Sequence, residues 1–451
     1  MRKNLSHADG PELTNWLQLD LDHLWHPYTQ MRGYENVATA IVKAHATRVW
    51  DQSGKEYLDG MSGLWNVNLG HSRPEIVDAI VRQLNELDYF PLNGFSHLPA
   101  AKLAAALAGV APGELCRVFF CTGGAEAMET ALKISRQYWL LRREPNRRKV
   151  ISVDGGWHGG TLGALSAAGI TEERKAFGRL LDDFYRAPAP FSDGALESFR
   201  ALLMELGPET VSAVVVEPIQ GAGGIRVPPD GYLQSLRALT TEFGCHLILD
   251  EVATGFGRTG TMFAAEQRGI QPDFLLCSKA ITNGCIPLGA VLTTDSIYEA
   301  FLGETPEHEF THGYTFGGHP VACAAALATV QILRGTQVLS TSRQRAGDLL
   351  AMLRDGLASC DVVADVRGRG MMLGVEISAG KRDGESSSVA RAICMEARKR
   401  GLIVRSIGAV IPVMPPLVLQ TSEVDELCDK LVSAVRFAQS NAIEETGATY
   451  S

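Results

Sequence analysis

Short β-rich runs alternate with helix-length amphipathic stretches from about residue 75 to about residue 330. No other feature constrains the fold as much, because strands separated by helical crossovers pair mainly in parallel. Five runs stand out: Val118 to Cys121, Val150 to Val153, Ala213 to Val216, His246 to Leu249 and Phe274 to Cys277, with Gly289 to Leu292 a weaker sixth. After the first run, Ala127, Ala131, Ile134 and Tyr138 recur at i, i+4, i+7 and i+11, which is one face of a helix. At 451 residues and 45% apolar content the chain can bury a large core and a smaller one.

No repeat, low-complexity tract or Pro/Ser-rich linker marks a boundary, so boundaries follow from changes of pattern. Residues 1–75 read as an N-terminal segment that joins a smaller α+β domain, 76–330 as the large α/β domain, and 331–451 as the C-terminal part of the smaller one. The latter carries the strand-like VVADVRGRGMMLGVEIS and GLIVRSIGAVIPVMPP, and after about residue 440 it reads as frayed.

In an open parallel sheet, ligands bind beyond the carboxyl ends of the strands. Each strong run is followed there by something chemically unusual: Thr122-Gly123-Gly124, then Gly155-Gly156-Trp157-His158-Gly159, then Glu217, then Asp250-Glu251, then Lys279. FFCTGGAEAMETALK reads as strand, glycine turn and helix, which either holds a phosphate on free N–H groups or is a plain tight turn. Trp157 can stack on a flat ligand or cover core, and His158 can donate to a ligand or serve structure. Asp250, at the end of HLILD, needs a cationic partner once desolvated, whether a ligand or Arg258, unless it caps a helix. Lys279 follows FLLCS; apolar surroundings make its amine a nucleophile toward an aldehyde, unless it snorkels out along the next helix.

The formal charge of −9 is mild, and Lys and Arg are scattered, which points to small-molecule partners and away from nucleic acid and membrane surfaces. Nine cysteines, an odd number with no C-x-x-C pair, give neither a disulfide framework nor a metal-binding spacing, and fit a reducing cytoplasm. MRKNLSHADGPELTNW lacks a signal-peptide core, and no run reaches the roughly 18 apolar residues of a membrane span, so a soluble, unprocessed protein is expected. A nucleotide-binding protein is disfavoured, since no G-x-x-x-x-G-K-[ST] occurs and no G-x-G-x-x-G follows a strand.

From HLWHPYTQM to MPPLVL, the chain resembles the class III (ω-) aminotransferases of the fold-type I pyridoxal-phosphate enzymes. The resemblance rests on YLDGMSGLWNVNLGH, CTGGAEAMETALK, WHGGTLGA, VVVEPIQGAGG, LILDEVATGFGRTG, CSKAITNGCIPLGA and HGYTFGGHPVACAAA. It implies a large pyridoxal-phosphate-binding domain with a mainly parallel seven-stranded sheet, a smaller domain built from both termini, and a homodimer with a shared site. By the same resemblance, Lys279 is the Schiff-base lysine and proton carrier, and Asp250 the partner of the pyridine nitrogen. Val252 and Trp157 would pack on opposite ring faces, and Gly123, Gly124 and Ala125 would cradle the phosphate, helped by Thr315 from the second subunit. His158 joins the cofactor contacts, while Glu217 and Gln220 would lie near the phenolic oxygen.

Departures narrow the substrate. The usual SGS of the phosphate loop is Gly123-Gly124-Ala125 here, and Ala222 stands where GABA- and ornithine-type members often carry a Glu that pairs with a gating arginine. HLWHPYT and Arg405 are similar to 7,8-diaminopelargonate aminotransferase of biotin synthesis, but Leu64 and Trp157 depart from it, and GCIPLGA matches amine and ω-amino-acid:pyruvate members better. The expected activity is transfer of an amino group from an ω-amino acid or primary amine to a 2-oxo acid, pyruvate above all. The diaminopelargonate reaction, or another reaction type such as an aminomutase or racemase, is the alternative. Arg405 would bind the acceptor's carboxylate, with Leu64, Trp65, Phe90, Phe95, Trp157 and Ile286 as the apolar lining.

Overall fold

The computed structural model describes residues 16–378 and 384–447, with side chains through residue 440. Three strands come first, β1 (Ile41–His45), β2 (Arg48–Asp51) and β3 (Glu56–Asp59). A seven-stranded sheet follows: β4 (Leu115–Cys121), β5 (Lys149–Val153), β6 (Phe184–Ala187), β7 (Val211–Val216), β8 (His246–Asp250), β9 (Phe274–Cys277) and β10 (Gly289–Thr294). The last strands are β11 (Val363–Arg369), β12 (Met372–Ile377), β13 (Leu402–Ile403) and β14 (Val410–Val413).

The large sheet has the order β4-β10-β9-β8-β7-β5-β6. β7, β8 and β9 are buried at every position, as strands covered on both faces must be. Their side chains alternate between two cores. Ala213, Val215 and Ile248 meet Ala127, Met128 and Ala131 of the helix Gly124–Leu141. Val214, Val216, Leu247 and Leu249 meet Phe199, Leu203, Leu233 and Leu236 of the helices Ala195–Leu206 and Tyr232–Glu242. The expected mixed α/β fold with a mainly parallel seven-stranded sheet is therefore observed.

Two strands depart from the pattern reading. β6 went unread because FYRA is short and half-buried at the sheet edge, with neither alternation nor an apolar run. β10 runs antiparallel to both β4 and β9, so β4 keeps the direction of the parallel set. The backbone of the last helix, Thr421–Gly447, also continues past residue 440, through the good helix formers Ala442, Glu444 and Glu445. The first fifteen residues, read above for a leader, lie outside the described part. Among the described residues no single helix is long and apolar enough to cross a membrane.

A second sheet, β1-β2-β3-β13, joins residues from near both ends, with Leu402 and Ile403 parallel to Leu58 and Asp59. Arg48 of β2 then makes a two-pronged contact with Glu426 of the last helix, at 2.8 and 2.5 Å, which holds the Glu426 carboxyl down to about 2. Glu426→Gln should lower unfolding stability by about 1 kcal/mol at neutral pH, a value discounted for partial exposure. A depressed carboxyl stabilises above its unfolded pKa and loses that contribution as pH falls through the folded one, so the deficit should fade between about pH 4.5 and about 2. Urea unfolding across that range measures it.

Candidate active site

The parallel set ends on one side of the sheet, and β10 begins there, with Gly289 paired to Cys121. The five segments singled out at the strand ends meet at a cavity of about 190 Å³ lined by Trp65, Gly124, Ala125, Trp157, His158, Gly159, Glu217, Ala222, Asp250, Val252, Ala253, Ser278 and Lys279. A larger hollow of about 600 Å³ lies between the helix Gly124–Leu141 and residues 307–311, and contains none of the strand-end groups.

Lys279 follows β9 with a left-handed φ of 44°, which turns its side chain out of the strand path and into the crevice. Ser278 fixes the bend by donating to the Leu288 carbonyl at 2.8 Å. The Lys279 amine stands 4.9 Å from the centre of the Trp65 ring and, among the described residues, has no hydrogen-bond or ion-pair partner. Loss of solvation pushes its pKa below the ordinary lysine value, with the Asp250 and Glu217 carboxylates opposing the shift.

Asp250 ends β8 almost fully buried. His158 Nδ1 lies 2.9 Å from its Oδ2, and the Val252 N–H donates to its Oδ1 at 3.1 Å. Arg258, the alternative cationic partner, is elsewhere: it donates to the carbonyls of Met371 and Pro415 and to Ser62 and Asn68. Glu217 accepts from the N–H groups of Trp157 (2.8 Å) and Gly221 (2.9 Å), while burial pushes its carboxyl up to about 7.

Gly124 is the first residue of its helix, capped by Gly123, and a Cβ on Gly124 would approach Val252 to 3.0 Å. Gly123 itself precedes the cavity, and Gln220 is turned behind it, donating to the Asp154 carbonyl at 2.7 Å. Trp157 forms one wall, with Tyr28 edge-on at 6.4 Å. Arg405 is exposed, and its charge acts on Tyr28 and Glu173, which puts it toward the same rim.

Leu64, Phe90, Phe95 and Thr315 are exposed and, like the half-buried Ile286, do not line the cavity of their own chain. Sequence reasoning did not single out the small residues Ala253 and Ser278, whose only signal is adjacency to the residues that were found. No group of three or more His, Cys, Asp or Glu side chains placed to hold a metal occurs among the described residues.

The chain belongs to the class III aminotransferases: that family's model matches residues 29–435. It is an aminotransferase of pyridoxal-phosphate fold-type I, and it depends on pyridoxal phosphate. It is 37% identical over 447 residues to adenosylmethionine-8-amino-7-oxononanoate aminotransferase of Geobacter sulfurreducens, covering 95% of this chain and 98% of that one. It is 36% identical to β-alanine–pyruvate aminotransferase of Pseudomonas aeruginosa, with 93% and 96% covered. Among solved structures, a pyridoxal-phosphate-bound amine transaminase from an uncultivated Pseudomonas species superposes with a TM-score of 0.88 at 35% identity, covering 93% of this chain and 99% of that one.

The cavity fits a phosphorylated aromatic aldehyde. It offers an amine, a braced carboxylate and a helix N-terminus, and it leaves two buried donors or acceptors, Trp65 Nε1 and His158 Nε2, without partners among the described residues. Behind it, fully buried Arg258 has its pKa held down to about 9 by lost solvation, with Asp59 opposing. Arg258→Leu would strand four acceptors, at a cost of about 3 kcal/mol or more. Thermal or urea denaturation should show that loss directly.

Proposed function

We propose that the enzyme moves an amino group from an ω-amino acid or simple primary amine to a 2-oxo acid, with pyruvate the preferred acceptor, by ping-pong exchange. The cavity wall carries this reading. Ala222 is part of it, so no acidic side chain at that position holds an arginine in place, and Trp65, Trp157, Val252 and Ala253 leave it largely apolar.

When bound, pyridoxal phosphate supplies an aldehyde for the donor amine and a ring that takes up the electron pair left as the donor carbon loses its proton. Lys279 anchors it in the resting enzyme. When not holding the cofactor, the Lys279 amine would carry the proton between the donor carbon and the cofactor, a task its lowered basicity suits. Asp250, oriented by His158, keeps the pyridine nitrogen protonated. Val252 and Trp157 hold the ring between them, and the N–H groups following Gly123 (Gly124, Ala125) face the phosphate. Glu217, whose carboxyl burial raises to about 7, and Gln220 would lie near the phenolic oxygen. Thr315, exposed in its own chain, serves the phosphate of a second copy, which makes the site that of a homodimer. Arg405 at the rim binds the acceptor's carboxylate and withdraws for donors that lack one.

The pairing of β13 with β3 supports a smaller domain made from residues 1–75 and 331–451, beside a large cofactor-binding domain of 76–330. Nine free cysteines favour the cytoplasm.

A second reading is favoured by the Geobacter relative: S-adenosylmethionine as donor and 8-amino-7-oxononanoate as acceptor. A panel of ω-amino acids, diamines, aryl amines and S-adenosylmethionine, each offered with pyruvate, 2-oxoglutarate or 8-amino-7-oxononanoate, decides between them. Pyridoxamine phosphate should form with amines alone, and alanine should appear with pyruvate; exclusive turnover of the adenosylmethionine pair would reverse the assignment. Lys279→Ala should cut turnover by about a thousandfold or more and remove the visible band of the bound cofactor. Retention of both would discard Lys279 as anchor and base.

A further inference from the structure

Residues 309–314, just before Thr315, form no regular structure, so side chains set the path of this loop. Gln137 holds its start, donating to the Glu307 and Glu309 carbonyls at 2.9 and 2.8 Å, and His312 holds its end. Its Nδ1 lies 2.9 Å from the ammonium of Lys133, and its Nε2 lies 3.0 Å from Thr130 Oγ1, both on the helix Gly124–Leu141. A lysine ammonium can only donate, so Nδ1 must accept, and the ring is neutral with its proton on Nε2. Thr130 in turn donates to the Glu126 carbonyl at 2.8 Å, where Tyr314 also donates at 3.1 Å. The Glu126 carboxylate accepts from the Thr122 N–H and hydroxyl, at the turn that leads into Gly123 and Gly124. Phe119 of β4 stacks on the ring at 5.7 Å, and Tyr89 pins the far side of the loop by donating to the Thr315 carbonyl at 2.7 Å.

We propose that His312 is a positioning residue: neutral, it latches the loop to the helix Gly124–Leu141 so that Thr315 is poised for the cofactor phosphate of a second copy, and protonated, it lets the loop go. The proposal rests on the reading of Thr315 given above and adds what holds that residue in place. An imidazolium cannot accept from Lys133, and two cations at 2.9 Å repel. Lys133, Glu126 and Glu129 on the helix and Tyr314 on the loop are the titratable groups that face the ring; Phe119 and Phe310 add no charge. Burial and Lys133 hold the imidazole below its ordinary range, and the two glutamates oppose them only in part. The latch is therefore closed at neutral pH and opens on acidification.

The test is the rate at which the purified holoenzyme loses pyridoxal phosphate on dilution, followed by visible absorbance at about pH 8 and about pH 4.5, the lower point set well under the ordinary imidazole range because burial and Lys133 lower this one. Wild type should release it about fivefold faster at the lower pH, the effect of losing roughly one hydrogen bond. His312→Asn puts an amide oxygen where Nδ1 accepts from Lys133 and does not titrate; it should stay within about twofold of wild type at the higher pH and lose the extra acid release. His312→Phe should release quickly at both. Acid effects on other residues act equally on wild type and His312→Asn, so the difference between these two is diagnostic. Identical acid acceleration in both, or wild-type retention in a folded His312→Phe, overturns the latch. Thr315→Ala separates the two layers: if it retains cofactor like wild type, the reading of Thr315 fails and the latch with it. If it releases quickly while the His312 variants behave as wild type, the latch alone fails.

Discussion

Asp250 and His158 face each other where water is nearly absent, and the rest of the crevice is arranged around that pair. A carboxylate so deep is tolerable only if its lone pairs are met, and here an imidazole and a backbone N–H meet them. Because β8 lies in the middle of the sheet, Glu217 after β7 and Lys279 after β9 are brought beside it by register. The sheet thus gathers two carboxyls, an imidazole and an amine into one dry space. Within it burial raises the Glu217 carboxyl and lowers the Lys279 amine, the kind of perturbation acid–base chemistry uses.

The same space makes geometry strict. Gly124 passes so near Val252 that a methyl group would press on it, and Lys279 leaves its strand through a backbone angle that side chains rarely adopt. Such features persist only when the surroundings over-determine them. Nearby, Arg258 ties three separated segments of the chain together, through Ser62 and Asn68, Met371 and Pro415.

Legibility in the sequence followed distance along the chain. Lys279, Asp250, Glu217 and the turn at Gly123 could be found because each sits next to an apolar run, and a strand end is a local property. The role of Arg258 could not, since its acceptors at Met371 and Pro415 are more than a hundred residues away. The partner of Asp250 was ambiguous for the same reason: His158 lies 92 positions before it. β6 escaped because an edge strand need not be apolar, and the direction of β10 left no mark on its composition. Thr315, Phe90 and Phe95 carry motif and side-chain signals, but they are exposed and lie outside the cavity of their own chain.

The parallel pairing of β13 with β3 has a consequence for how the chain is made. Residues 56–59 emerge from the ribosome early, while their partners at 402–403 come nearly at the end. All seven strands of the main sheet can therefore pair before β3 finds its neighbour, and for most of synthesis one edge of the small sheet stays open. Trp65, a wall of the crevice, follows directly on that unfinished edge. A chain stopped short of residue 402 would therefore leave that edge of the small sheet without its parallel partner, just before the segment that carries Trp65 to the crevice.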